Sequence, residues 1–347
     1  MNKKVSILLV IHNGAVWLPE VLDALKKQTY PRELMEICIW DNYSTDQTEE
    51  IVHRELHGQD YLVEKNNKNI GFWAGFEKLL PQSTGEYIIA CTDVVLDPYF
   101  IERAVAVMEQ DTHIGALQAK IFQPDKKHID TLGFQIERSR RVTNRGQGEI
   151  DHGQYEKQEE IFAVEGAVPV FRRLAIEDTK VNGHFSDPTF RVGPLSYGDD
   201  LDSPWRMHLF GWKQIYVPSV IAYHNRSTTH NVSRSWQDYL DRVHMRRQIP
   251  LLKRRLDWSN VRFTIIKNDY IINILKDLPW ILAREILVFC YTLVFEPVVF
   301  LEAGRFFRLL PTMIVRRRYI LRKAKMSAQD MRRWFVTPPH GISKLST

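Results

Sequence analysis

The chain has 347 residues, 44% of them apolar and 26% charged, the proportions of a folded, water-soluble protein with one large domain plus an appendage. The formal net charge of +5 is modest but unevenly placed, and no nucleic-acid-binding motif accompanies its basic part, so no nucleic-acid partner is expected. Cys38, Cys91 and Cys290 are odd in number, far apart and without metal-binding spacing, which argues against a disulfide framework and for a reducing, cytoplasmic setting.

The opening "MNKKVSILLVIHNG" carries two lysines before a short apolar run. The run is too short and wrongly flanked for an export signal and reads as a first buried strand over residues 4–11. Asn13-Gly14 breaks it, and "AVWLPEVLDALKKQ" then places Trp17, Leu18, Val21, Leu22 and Leu25 at helical spacing. "MEICIW" predicts a second strand ending on Asp41. The following "STDQTEEIV" predicts a helix capped by Ser44 or Asp46, with Asp46 and Glu49 fitting a capping box. "YLVEKN" is a third strand, and "NIGFWAGFEKLLPQS" a glycine-bearing turn running into a helix. "YIIACTD" is a fourth strand that stops on Asp93. Asp97 and Pro98 start a helix over "PYFIERAVAVMEQ", and "IGALQAKIF" follows as a strand.

Strands alternating with helices imply a parallel sheet covered on both faces, with ligands beyond the carboxyl ends of its strands. Asn13, Asp41 and Asp93 all fall at such ends. Each alone could simply make a turn. From 124 to 160 the chain turns polar, which predicts a long surface excursion, a hairpin or a mobile loop over the site. "IFAVEGAVPVFRR" returns to strand character. The segment 197–224 begins with acids, continues as a short helix and ends as a strand near His224.

Residues 231–336 read as helical and basic, with Arg305, Arg308, Arg316, Arg317, Arg318, Arg322, Lys323, Lys325, Arg332 and Arg333 facing almost no acids. Within them, residues 278–301 are apolar over a length that could cross a bilayer. Arg284, Glu285 and Glu296 interrupt that stretch and Pro297 breaks it, so helices lying on an anionic membrane surface fit better than a crossing. The other reading is an ordinary helical subdomain with a solvated basic face. The expected division is 1–230, 231–336 and a flexible tail over 337–347.

Six segments in order resemble family 2 glycosyltransferases, and bacterial rhamnosyltransferases most of all: "VSILLVIHNGAVWLPEVLDAL", "ICIWDNYSTDQT", "NKNIGFWAGF", "CTDVVLDPYF", "VEGAVPVFRR" and "YGDDLDSPWRMHLFGWKQIYVPSVIAYH". The resemblance implies a GT-A fold: a Rossmann-like mixed α/β sheet with helices on both faces, here followed by a basic helical extension. It implies a nucleotide-diphosphate sugar donor and a divalent cation, Mn²⁺ or Mg²⁺. His12, Asn13, Asp41, Asn69 and Gly71 would then border the nucleotide, Gly71 by allowing close backbone approach. Asp93 matches the last acid of the family's Asp-x-Asp metal motif, whose first acid is here Cys91. A hard cation prefers oxygen, so the thiol is not expected to bind it. His224 would complete the metal shell, and imidazole favours Mn²⁺. Asp200 falls on the catalytic base, which takes the acceptor proton in a single displacement with inversion. Asp199, Asp202, Trp205 and Arg206 would touch the acceptor or support the site, Trp205 chiefly as core. All three acids could also cap the helix they begin.

The resulting expectation is an inverting glycosyltransferase at the inner face of the cell membrane. It would move a sugar, with rhamnose suggested by resemblance, onto a lipid-linked or cell-surface glycan. The alternative is a degenerate GT-A partner subunit that binds nucleotide or glycan without turnover. A nucleotidyltransferase is disfavoured, because "VIHNGAVWLPE" lacks a basic, glycine-rich phosphate loop.

Overall fold

The computed structural model describes residues 3–224 and 246–337. Its first part runs β1 (Val5–Ile11), α1 (Leu18–Lys26), β2 (Met35–Asp41), α2 (Thr48–Glu55), β3 (Tyr61–Lys65), α3 (Phe72–Leu79), β4 (Tyr87–Cys91), β5 (Val94–Leu96), α4 (Phe100–Met108) and β6 (Ile114–Phe122). There follow β7 (Ile129–Thr131), β8 (Phe134–Glu137), β9 (Val142–Asn144), β10 (Glu159–Glu160), β11 (Val170–Arg172), α5 (Arg173–Thr179), β12 (Arg191–Val192), β13 (Leu195–Ser196), α6 (Asp199–Leu209) and β14 (Lys213–His224). The C-terminal part contributes α7 (Leu251–Asn268), α8 (Ile271–Lys276), α9 (Leu278–Phe295), α10 (Ala303–Lys323), α11 (Ala328–Arg332) and β15 (Phe335–Val336).

Side chains alternate across a strand, so an apolar run with both faces covered feeds two cores at once. In β1, Val5, Ile7, Leu9 and Ile11 join a core shared with α1, α2 and α4. Leu8 and Val10 point the other way, onto Trp73, Phe76 and Leu79 of α3 and onto α5. The main sheet is ordered β10-β14-β6-β11-β4-β1-β2-β3, with β5 added on β14 and β7 on β6. Strands β1 to β4 pair in parallel. β11 runs against both β4 and β6, and β14 runs with β6. Strands β1, β2, β3, β4, β6 and β14 therefore all end at one edge, and the segment entering β11 lies at that same edge.

Four sequence expectations need correction. Asp46 and Glu49 form no capping box, because α2 starts only at Thr48. Asp46 instead accepts from the backbone N of Thr48 (3.1 Å) and of Ala15 (3.0 Å), while Glu49 pairs with Lys65. Between residues 161 and 173 only Val170–Arg172 is strand; Ala163 makes a single bridge to Phe134, Arg173 opens α5, and the rest is loop.

In the polar stretch 124–160 the hairpin reading is found, as β8 paired antiparallel with β9, whereas the loose excursion is not. β7 extends the main sheet, and β8 and β9 form a small sheet with β15. Arg140 lies fully buried there, 2.7 Å from Asp269 and 2.9 Å from Asp277. Its partners are over a hundred residues away, so its own segment reads as solvated when it is packed.

The basic tail likewise finds acids distant in the chain, three of them in the first part and one, Asp277, before α9. Arg316 reaches Asp187 (2.6 Å), Lys323 reaches Asp178 (2.8 Å), Arg332 reaches Asp277 (2.8 Å) and Arg333 reaches Glu160 (2.9 Å). Met331, Ile320 and Phe335 share a core with Leu201, Trp205 and Leu209 of α6. In contrast, α9 is mostly uncovered: its mean hydropathy is 1.7, and only Thr292 is buried.

Candidate active site

The predicted residues come from six places in the chain: the turns after β1, β2 and β3, the ends of β4 and β14, and the start of α6. After β1 the chain turns through Asn13, whose φ of 51° is left-handed. That turn is stitched to the one after β2. Asn13 N donates to Ser44 Oγ (3.0 Å), and Thr45 N donates to Asn13 Oδ1 (2.9 Å). Asp41, at the last position of β2, is buried and accepts from Ser44 N at 2.8 Å. His12 is exposed, with Nδ1 donating to the carbonyl of Asn42 (3.1 Å).

Asn42 was not singled out from the sequence, yet it links the second and third turns. It donates from Nδ2 to Asn69 Oδ1 (2.9 Å) and accepts from Ile70 N at 2.9 Å. Asn69 in turn accepts from Gly71 N (2.9 Å), so its side-chain oxygen is committed to shaping the loop. Gly71 makes a close backbone approach within the protein itself. Its φ is +86°, and a Cβ there would sit 2.4 Å from the carbonyl oxygen of Pro194. The close backbone approach is to the 191–196 hairpin.

β4 ends at Cys91, and Asp93 follows before β5 pairs with the end of β14. Asp93 is about one-third exposed, and its Oδ1 lies 3.3 Å from Nε2 of His224. On the far side of the ring, Nδ1 donates to Oδ2 of Asp130 (2.9 Å). Burial alone would lower the His224 pKa, but its hydrogen bonds to Asp130 and Asp93 outweigh that and raise it to about 9. Two donors bound side by side to one octahedral cation, each at about 2.1 Å, lie roughly 3 Å apart. The Asp93–His224 pair has that spacing, so the residues fit a small divalent ion. No group of three or more possible ligands exists among the described residues, so the rest of a shell must come from elsewhere. Cys91 is buried, its thiol donates to the Val94 carbonyl (3.6 Å), and burial pushes its pKa up to about 12.

The acid cluster forms the first turn of α6, and its members differ sharply in exposure. Asp199 is buried, bonded to the hydroxyls of Ser186 (2.7 Å) and Ser196. Burial pushes its carboxyl up to about 6, against those hydrogen bonds. Asp202 is also buried, and takes bonds from Arg206, from Lys267 (2.8 Å) and from Asn268 (2.7 Å). Asp200 alone is partly open. It faces Gly166 in the edge loop before β11, where an added Cβ would come 3.4 Å from its Cβ and 3.7 Å from its Oδ2.

The proposed acceptor contacts at Asp199, Asp202, Trp205 and Arg206 are therefore corrected to support alone, since all four are buried. Trp205 packs against Phe162 and Phe335, which rules out stacking on a sugar. Sequence reading missed Gly166 and Asp130 as well. Gly166 lies in the quoted "VEGAV" segment, where a glycine before an apolar run was a usable signal. Asp130 stands in "HIDTLG", which carries no local sign of a site.

The model of glycosyl transferase family 2 matches residues 6–177. Glycosyltransferase AglE of Haloferax volcanii is 30% identical over 107 residues, covering 30% of this chain and 35% of its own. The chain spans about a third of the length of the curated relatives it matches. Residues 1–349 of S. aureus TarS in complex with UDP superpose with a TM-score of 0.57 at 16% identity, covering 95% of this chain and 89% of that one. GalNAc-T7 with UDP, GalNAc and Mn²⁺ gives a TM-score of 0.52 at 15% identity, covering 70% of this chain and 48% of that one. At such identities these likenesses carry the GT-A fold alone.

Proposed function

This chain belongs to glycosyl transferase family 2 through residues 6–177, and from that premise we propose that it is an inverting, cation-dependent glycosyltransferase. Its donor would be a nucleotide-diphosphate sugar. The observation that carries the reading is the contrast within α6: of three acids in one turn, two are buried in internal bonds and Asp200 alone remains accessible beside Gly166.

Each residue has a defined task. The stitched turns around Asn13, Asp41, Asn42 and Asn69 form a rigid rim for the nucleoside, with His12 exposed beside them. Asp93 and His224 would hold Mn²⁺ or Mg²⁺ together with diphosphate oxygens and water. When bound, the ion supplies Lewis-acid stabilisation of the departing diphosphate. Asp200 takes the proton of the acceptor hydroxyl as the new glycosidic C–O bond forms. The bond from the anomeric carbon to the diphosphate oxygen breaks on the opposite face, so configuration inverts. A positioned base of this kind contributes roughly 10²–10⁴-fold. The UDP in the names of both solved neighbours makes uridine diphosphate sugars the first donors to test, ahead of thymidine diphosphate rhamnose.

The acceptor side of the reading is a lipid-linked or cell-surface glycan met at the inner face of the membrane. Its support is the C-terminal surface. Leu287 (66%), Val294 (67%) and Leu301 (68%) are exposed on and just after α9, with Phe307 (67%) beginning the next helix and Arg308, Arg318 and Arg322 exposed along it. Apolar side chains flanked by cations suit an anionic interface.

The test is a thermal-shift panel of nucleotide sugars with Mn²⁺, followed by transfer assays on Asp200→Asn and Asp93→Ala. Asp200→Asn should keep donor binding and lose transfer, and Asp93→Ala should lose cation-dependent donor binding. Full transfer by Asp200→Asn would remove the base assignment. Donor binding without any transfer by the wild type would favour the partner-subunit alternative, which Cys91 in the metal motif supports.

A further inference from the structure

We propose that Asp130 is a positioning residue for the cation site, holding the His224 ring so that its Nε2 faces Asp93. The inference rests on the reading of Asp93 and His224 as cation ligands. β7 flanks β6 on the side opposite β14, and from there Asp130 meets the ring of His224, the last residue of β14. Asp130 is fully buried, so neither donor nor acceptor reaches it. Its Oδ2 lies 2.9 Å from Nδ1. A carboxylate accepts, so Nδ1 carries a hydrogen and the ring is fixed in rotation. Nε2 is then the nitrogen turned to Asp93, at 3.3 Å.

Two features make this more than a packed ion pair. Histidines that bind metals characteristically donate their other ring N–H to a carboxylate, which orients the ring and raises its strength as a ligand. The carboxylate arrangement at this strand end is also lopsided. Cys91 gives its thiol hydrogen to Val94 O, leaving Asp93 as the acid of its turn. Asp130 sets a second negative charge behind the imidazole, where it strengthens a cation's attraction without occupying a coordination position.

The experiment is calorimetric titration of the full chain with Mn²⁺, with and without UDP. It compares wild type, Asp130→Asn, His224→Ala and the double variant. Loss of such a partner typically weakens metal binding about 10–100-fold. Asp130→Asn should show that loss in Kd, and no further loss in the His224→Ala background. A Kd within about twofold of wild type, or the same loss in both backgrounds, overturns the proposal. Should Asp130→Asn not fold, Asp130→Glu takes its place: it keeps the charge, displaces it by one methylene, and should give a smaller loss with the same dependence on His224. Wild type that takes up no Mn²⁺ at all would instead sink the cation reading beneath it.

Discussion

The strand edge and the junction between α6 and the C-terminal helices use the same residue types to opposite ends. At the edge, Asp93 and Asp200 are partly open, and the neighbouring turns are held by short bonds to backbone atoms. At the junction, Asp187, Asp202, Arg206, Lys267 and Arg316 are sealed in one network, with Lys267 bridging Asp187 (2.6 Å) and Asp202 (2.8 Å). Asp200 and Asp202 are two residues apart on one helix, yet one lies beside Gly166 and the other faces α7. A carboxylate's place in chemistry or in architecture is set by what surrounds it. Helical phase, more than residue type, decides which surroundings it meets.

That contrast can be broken most severely at its two poles. Asp200→Asn should lower transfer by roughly 10²–10⁴-fold while leaving the urea midpoint near that of wild type, since a half-open acid is removed. Lys267→Met should do the reverse. It removes the cation shared by two buried carboxylates, leaving Arg316 on Asp187 and Arg206 on Asp202, so the cost should fall at or below the about 3–5 kcal/mol of a buried ion pair broken from one side. Chemical denaturation should register that loss, and an activity loss without one would erase the distinction.

Gly71→Ala comes next. A side chain at its positive φ, against the Pro194 carbonyl, should destabilise by about 1–3 kcal/mol and loosen the loop beside Asn69. Weakened donor binding in a thermal-shift assay is the accompanying sign. The pH dependence is of comparable size. His224 is raised from 6.5 to about 9, so the folded state holds its proton more tightly than the unfolded chain. Its contribution is complete below about pH 6.5 and fades as pH climbs through 9. His224→Gln should flatten that alkaline decline in melts without cation. Smallest in stability is Leu287→Glu, which should stay within about 0.5 kcal/mol because the residue is 66% exposed. It should still reduce co-sedimentation with anionic liposomes, and unchanged co-sedimentation would count against the membrane face.

Much of the sheet was legible because its rules are local. The apolar runs at Val5–Ile11 and Met35–Asp41, and the stop at Asp93, announce strands and their ends from a few neighbouring residues. The site's outline followed, since ligands gather where parallel strands end. What stayed hidden depends on partners distant in the chain. Arg140 reads as surface until Asp269 and Asp277 arrive, and Arg316 reads as unpaired until Asp187 does. Asp130 belongs to the same class, as nothing within ten residues points to His224. The role of Gly71 was half visible: its special backbone was foreseeable, but the identity of the neighbour was not.

The bridge from Lys267 to Asp202 has a practical corollary for anyone trimming the molecule. A protein cut after residue 230 would retain every strand of the large sheet but lose Lys267 from Asp187 and Asp202 and Arg316 from Asp187, leaving Arg206 as the cation on Asp202. Trp205 and Leu209 would lose Ile320, Met331 and Phe335 from their cluster. The helix bearing Asp200 would stand on a raw, charged back face, so exchanging donor preference between homologues calls for grafting the two halves together.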